Sequence, residues 1–117
     1  MSDILLTNDA DFLLCTLYDA YRQRRRNGAS IRDARLFGGS ETIQQEFAPT
    51  WPTDDIDEAA WALARKGLVE TSDADDTIWA VILCDDGIAY MEQRFGDKLD
   101  KLLDRIAKLR SIIIPLP

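Results

Sequence analysis

TDDIDEAAWALARKGLVETSDADDTIWAVILCDDGIAYM, running from Thr53 to Met91, decides the fold. Ile56, Ala60 and Leu63 recur at helical spacing, and Gly67 stops the helix they define. Leu68 and Val69 open a strand, Ser72 to Asp76 form a turn, and Thr77 to Leu83 form an apolar second strand. A new helix starts near Asp85 and carries Ile88, Tyr90 and Met91. The stretch therefore reads as helix, hairpin, helix. In its first helix Asp55 is the expected cap, with Glu58 three residues on, and Asp55, Glu58, Ala62 and Arg65 form the outward face. In the second strand Ile78, Ala80 and Ile82 alternate with Trp79, Val81 and Leu83. Both faces are apolar, so the strand is expected to be covered on each side.

Upstream, Thr7 or Asn8 caps a helix whose stripe is Ala10, Leu13, Leu14, Leu17, Tyr18 and Tyr21. Asp9 and Asp11 lie in its first turn, where the helix dipole favours anions. Arg22, Arg24, Arg25 and Arg26 crowd its end, and Gly28 follows Asn27. Four arginines in five residues exceed what a helix end needs, and leave room for a phosphate or acidic-protein contact. Ser30 is expected to cap a short helix reaching about Phe37, with Ile31, Ala34 and Leu36 inward. After Gly38 and Gly39, Ser40 is expected to cap another, with Ile43 and Phe47 inward and Pro49 at its end. Gly38-Gly39-Ser40 lacks the lysine and glycine spacing of a phosphate loop and reads as a turn between helices.

Downstream, Ile88, Met91, Phe95, Leu99, Leu102, Ile106, Leu109 and Ile113 step by three and four residues, close to a coiled-coil seam. Gly96 interrupts the seam, separating a body of residues 1–96 from a helical extension over 97–117 of the same domain. So long an apolar stripe exceeds one small core's needs. Burying half of it against a second copy is worth on the order of several kcal/mol. A homodimer through Phe95, Leu99, Leu102, Ile106, Leu109 and Ile113 is the expectation.

At 117 residues, with 46% hydrophobic and 30% charged side chains, the chain reads as one ordered domain that needs no disulfide or metal. Its start does not read as a secretion signal, no run approaches a membrane span, and a cytoplasmic location is expected. The net charge of −7 is concentrated. Residues 53–86 hold ten acids against Arg65 and Lys66, while the rest of the chain is near neutral.

The combination of Leu63, Gly67, Leu68 and Val69 with a hairpin, and then Leu83, Asp85, Gly87 and Tyr90, resembles the winged helix-turn-helix superfamily. The long last helix is similar to the dimerisation helix of PadR- and MarR-type repressors. The resemblance implies a mostly helical α+β fold, with a two-stranded β-hairpin wing and a long C-terminal helix. It further implies a third helix, the one beginning near Thr53, laid in the major groove of DNA with the wing against the phosphates.

Little in the sequence speaks for catalysis. There is no histidine, and Cys15 and Cys84 are isolated. The acid pairs Asp54-Asp55 and Asp85-Asp86 sit at helix starts, and Asp75-Asp76 in a turn. Asp73, Asp75 and Asp76 lack the glycine and closing glutamate of a calcium loop. The chain is expected to be a non-enzyme without metal or cofactor. Two readings remain. One is a dimeric DNA-binding transcriptional regulator, in which Arg22, Arg24, Arg25, Arg26, Arg32, Arg35, Arg65 and Lys66 would meet the backbone. The other is an interaction module docking Asp55, Glu58, Asp73, Asp75 and Asp76 on a basic partner protein, without DNA. The first is the leading expectation, because members of the superfamily mostly bind DNA. Charge favours the second, because phosphate contacts provide most of the affinity for DNA and acids there oppose it.

Overall fold

The computed structural model describes residues 4–95. The seam positions Leu99, Leu102, Ile106, Leu109 and Ile113, and the expected break at Gly96, lie outside them, as does the Phe95 side chain. Eight elements follow in order: α1 (Asn8–Arg26), α2 (Ile31–Ala34), β1 (Leu36–Gly38), α3 (Ser40–Phe47), α4 (Thr53–Arg65), β2 (Val69–Ala74), β3 (Thr77–Leu83) and α5 (Asp85–Phe95). The fold is α+β, and the described residues form five helices around a small antiparallel sheet ordered β1-β3-β2.

The long helix α1 is built as its pattern requires. The Thr7 hydroxyl accepts from the Ala10 amide at 3.2 Å, and Asn27 ends the helix ahead of Gly28. Leu13, Leu14 and Leu17 enter the core with Ile43, Ile56, Leu63, Leu68, Val69, Ile78, Val81, Leu83 and Met91. Ser30 caps α2 by accepting from the Asp33 amide. The helix stops at Ala34, however, and residues 36–38 are strand. The hairpin is thus part of a three-stranded sheet rather than a two-stranded one. Leu36, Phe37 and Gly38 pair with Ile82, Val81 and Ala80. Phe37 is buried, whereas Leu36 and Ile31, both expected inside, are about half exposed. For Leu36, alternation along β1 forces this result, since burying Phe37 turns Leu36 to the opposite face.

Two expected caps are absent. Gly39, not Ser40, holds the cap position of α3, and Ser40 is the buried first helical residue. A Cβ at position 39 would lie 2.6 Å from the Ile78 carbonyl oxygen, so a side chain cannot stand where α3 starts against β3. Helix α4 begins at Thr53 behind Pro52 with no side-chain cap, and Asp55 is inside its first turn. Gln44 donates to the Trp51 carbonyl at 2.6 Å, and Trp51 packs on Phe12 with ring centres 5.5 Å apart, fixing the turn from α3 into α4.

The described residues do not cover β3 on both sides. Its register to β2 slips between Ser72, paired with Ala80, and Asp73, paired with Ile78. The extra residue, Trp79, is a β-bulge, and it breaks the alternation. Ile78 and Val81 are consequently both buried, while Trp79 is 62% exposed and Ala80 half-buried. The strands run to Ala74 and from Thr77, and the turn between them is Asp75-Asp76, with φ of 54° and 62°. Aspartate tolerates this left-handed region better than most residues.

Helix α5 closes the body. Its first turn packs so tightly that a Cβ on Gly87 would meet the Leu68 carbonyl oxygen at 2.3 Å. Farther along, the Arg94 guanidinium forks onto the Asp11 carboxylate of α1. The same carboxylate bonds raise the Arg94 pKa.

Candidate interaction surface

The outward face of α4 is the face its pattern indicates. Asp54, Asp55, Glu58 and Arg65 are exposed and Ala62 is half-buried. With Thr7 and Asp9 at the start of α1, Asp55, Glu58, Ala59, Ala62 and Arg65 line a cleft of about 200 Å³. Three carboxylates and one guanidinium give it a negative balance.

Asp57 departs from this rim. It is 6% exposed, and its Oδ1 has no hydrogen-bond partner. On a helix, position 57 follows Ile56 by one step and precedes Ala60 by three, so it borders the apolar stripe. The acidic rim of α4 is therefore Asp54, Asp55 and Glu58, without Asp57.

The hairpin is acidic as well. Asp75 and Asp76 are exposed at its tip, as is Glu70 on β2. Asp73 is exposed but engaged: its Oδ2 accepts from the Trp61 indole Nε1 at 3.0 Å, tying the hairpin to α4. Residues 69–83 carry four carboxylates and no lysine or arginine.

The arginines expected as backbone contacts divide into two groups. Arg24 turns inward, donating to the carbonyls of Leu36 at 2.8 Å and Ala34 at 3.3 Å. Its guanidinium carbon sits 4.4 Å from the centre of the Phe37 ring. Arg25 donates to the Ala29 carbonyl at 3.0 Å, closing the helix end. Arg35 pairs with Asp85 at the start of α5, and its Nε is buried without a partner. Arg22 is half-buried, while Arg26, Arg32 and Lys66 are exposed. Arg24 thus ties α1 to β1 and Arg35 reaches α5, while Arg25 closes the end of α1, which the density of arginines in the sequence did not reveal.

Neither cysteine has the character of a nucleophile. Burial pushes the Cys15 thiol up to about 12, with the Asp11 carboxylate adding to the effect. Burial, then Glu70, also raises Cys84. Both stay protonated near neutral pH, and a thiol is far weaker than a thiolate. Among the described residues no group of three or more acidic, cysteine or histidine side chains is placed to hold a metal ion. No described helix is long and apolar enough to cross a membrane.

Comparison with known proteins gives no match: no family model, curated protein or solved structure is similar to this chain.

Proposed function

We propose that the chain is a winged-helix interaction module that docks the acidic face of α4 and the hairpin on a basic partner protein. The order α3, α4, hairpin, with α4 presenting its outer face, supports the winged-helix reading. One observation carries the choice of partner. The carboxylates of Asp54, Asp55, Glu58, Asp75 and Asp76 are all exposed on α4 and the hairpin, which the Trp61–Asp73 bond joins, while Arg24 and Arg35 are turned to partners within the fold. A phosphate backbone approaching those carboxylates meets like charge, whereas a lysine- or arginine-bearing surface meets its complement.

A second reading, a homodimeric DNA-binding regulator, is favoured by the same order of elements and by the exposed Arg26, Arg32 and Lys66. It must overcome the acidity of the helix that would enter the groove. A titration with an oligolysine peptide tests the proposal. The full chain is expected to bind it, and the paired change Asp55→Asn, Glu58→Gln to weaken binding several-fold without altering the fold. An unchanged affinity in that variant would remove α4 from the interface.

A further inference from the structure

The far side of the sheet carries an apolar surface that the charge reading leaves unused. Cross-strand partners share a face, so the register assembles two rows there. Leu36, Ile82 and Glu70 make one, and Gly38, Ala80 and Ser72 the next. Beyond the second row stands Trp79, delivered to the surface by the bulge. Leu36 is 50% and Trp79 62% exposed. A strand of regular alternation would have turned Trp79 inward with Val81. Bulges are used to re-aim a side chain, and large aromatic groups left in water mark binding surfaces more often than scattered aliphatics do.

Resting on the proposed basic partner, we infer that this sheet face is the apolar half of the docking surface. It takes a segment in which a hydrophobic side chain is flanked by lysine or arginine. The hydrophobic group covers Leu36, Ile82 and Ala80. The cations meet Glu70, Asp75 and Asp76 along the rim, and one of them stacks on the Trp79 indole, whose π-face attracts a positive charge. Charge complementarity selects this occupant. A second copy of the chain would bring two hairpins together, each with four carboxylates and no base, and like charges in close apposition repel. An anionic lipid surface is disfavoured for the same reason.

The test uses the full chain labelled with ¹⁵N and follows the indole Nε1–H signals of Trp51, Trp61 and Trp79, the last assigned from Trp79→Phe. The probe is a short peptide alternating arginine and leucine, set against an oligolysine of equal charge. With the alternating peptide, the Trp79 indole and the amides of Leu36, Ala80 and Ile82 are expected to shift. Trp79→Ala is expected to weaken binding about tenfold or more while leaving amide dispersion intact, since the side chain lies outside the core. Asp75→Asn with Asp76→Asn, which keeps a left-handed turn, is expected to weaken it several-fold. Shifts confined to α4 around Asp55 and Glu58 would overturn the sheet-face assignment and leave the acidic-face proposal standing. A Trp79 indole already shielded from solvent in the free chain would also overturn it, because the face would then be occupied. Failure of every basic peptide to bind would sink both.

Discussion

Trp61 on α4 donates its indole N–H to the carboxylate of Asp73 on β2, at 3.0 Å. The bond crosses from the outward helix to the hairpin and fixes how the two parts of the acidic rim are disposed. Asp73 is exposed, so the bond is worth about 1 kcal/mol or less. Trp61→Phe keeps most of the ring's packing and removes the donor. Its expected effect is a small drop in thermal stability, with clearly faster amide exchange in residues 70–78. Exchange unchanged in the hairpin would mean the bond does not orient it.

Arg24 and Arg26 are two residues apart and play different parts. Arg24→Ala removes bonds to two carbonyls and the guanidinium over Phe37, and should destabilise the fold by about 2 kcal/mol. Arg26→Ala, at an exposed site, should fall within about 0.5 kcal/mol of the parent. Urea midpoints measure both. Equal effects would contradict the structural role given to Arg24.

Gly87 faces a backbone oxygen that cannot retreat, because the Leu68 carbonyl also accepts from the Cys84 amide at 3.0 Å. Gly87→Ala should destabilise by about 3 kcal/mol, although alanine favours a helix at most positions. A neutral or stabilising result by thermal denaturation would show that α5 can shift away from the turn between α4 and β2.

The alkaline limb of stability should bear the mark of Cys15. Its thiol titrates near 12 in the folded chain against an ordinary 9.0. The raised value contributes stability that is fully present below about pH 9 and lost as pH rises toward 12. Across that window the slope approaches about 1.4 kcal/mol per pH unit. Cys15→Ala should flatten this limb while lowering stability at neutral pH through lost packing. An unaltered slope would assign the alkaline loss to another group.

What the sequence made legible follows from the range of each signal. The helix α1, its Thr7 cap, the Ser30 cap and the outward set of Asp55, Glu58, Ala62 and Arg65 depend on neighbours within a few residues, and periodicity reports those. Strand β1 has three residues, too few for a period, and exists because the middle of β3 offers a free edge. The missing caps at Ser40 and Asp55 were hidden because β3 and Pro52, rather than residue type, govern where α3 and α4 start. The exposure of Trp79 came from a one-residue slip in register, which no alternating pattern encodes. Arg24 looked like a free cation because its shorter bond goes to a carbonyl of the unforeseen strand, at Leu36, and its other to Ala34 at the end of α2. Asp57 is buried although acidic, because it lies one step from Ile56 on the border where a helix passes from solvent to core, and residue type alone points such a side chain outward.

The central claim, that the rim from Asp54 to Asp76 serves a basic protein and not nucleic acid, is tested most directly by fluorescence anisotropy. A labelled random-sequence duplex is titrated with the full chain at about 50 mM salt, where non-specific DNA binding is strong. No saturation up to about 100 μM protein is expected, since the rim repels phosphate at low ionic strength more than at high. A dissociation constant of about 1 μM or tighter, weakening steeply as salt is added, would contradict the claim and restore the DNA-binding regulator.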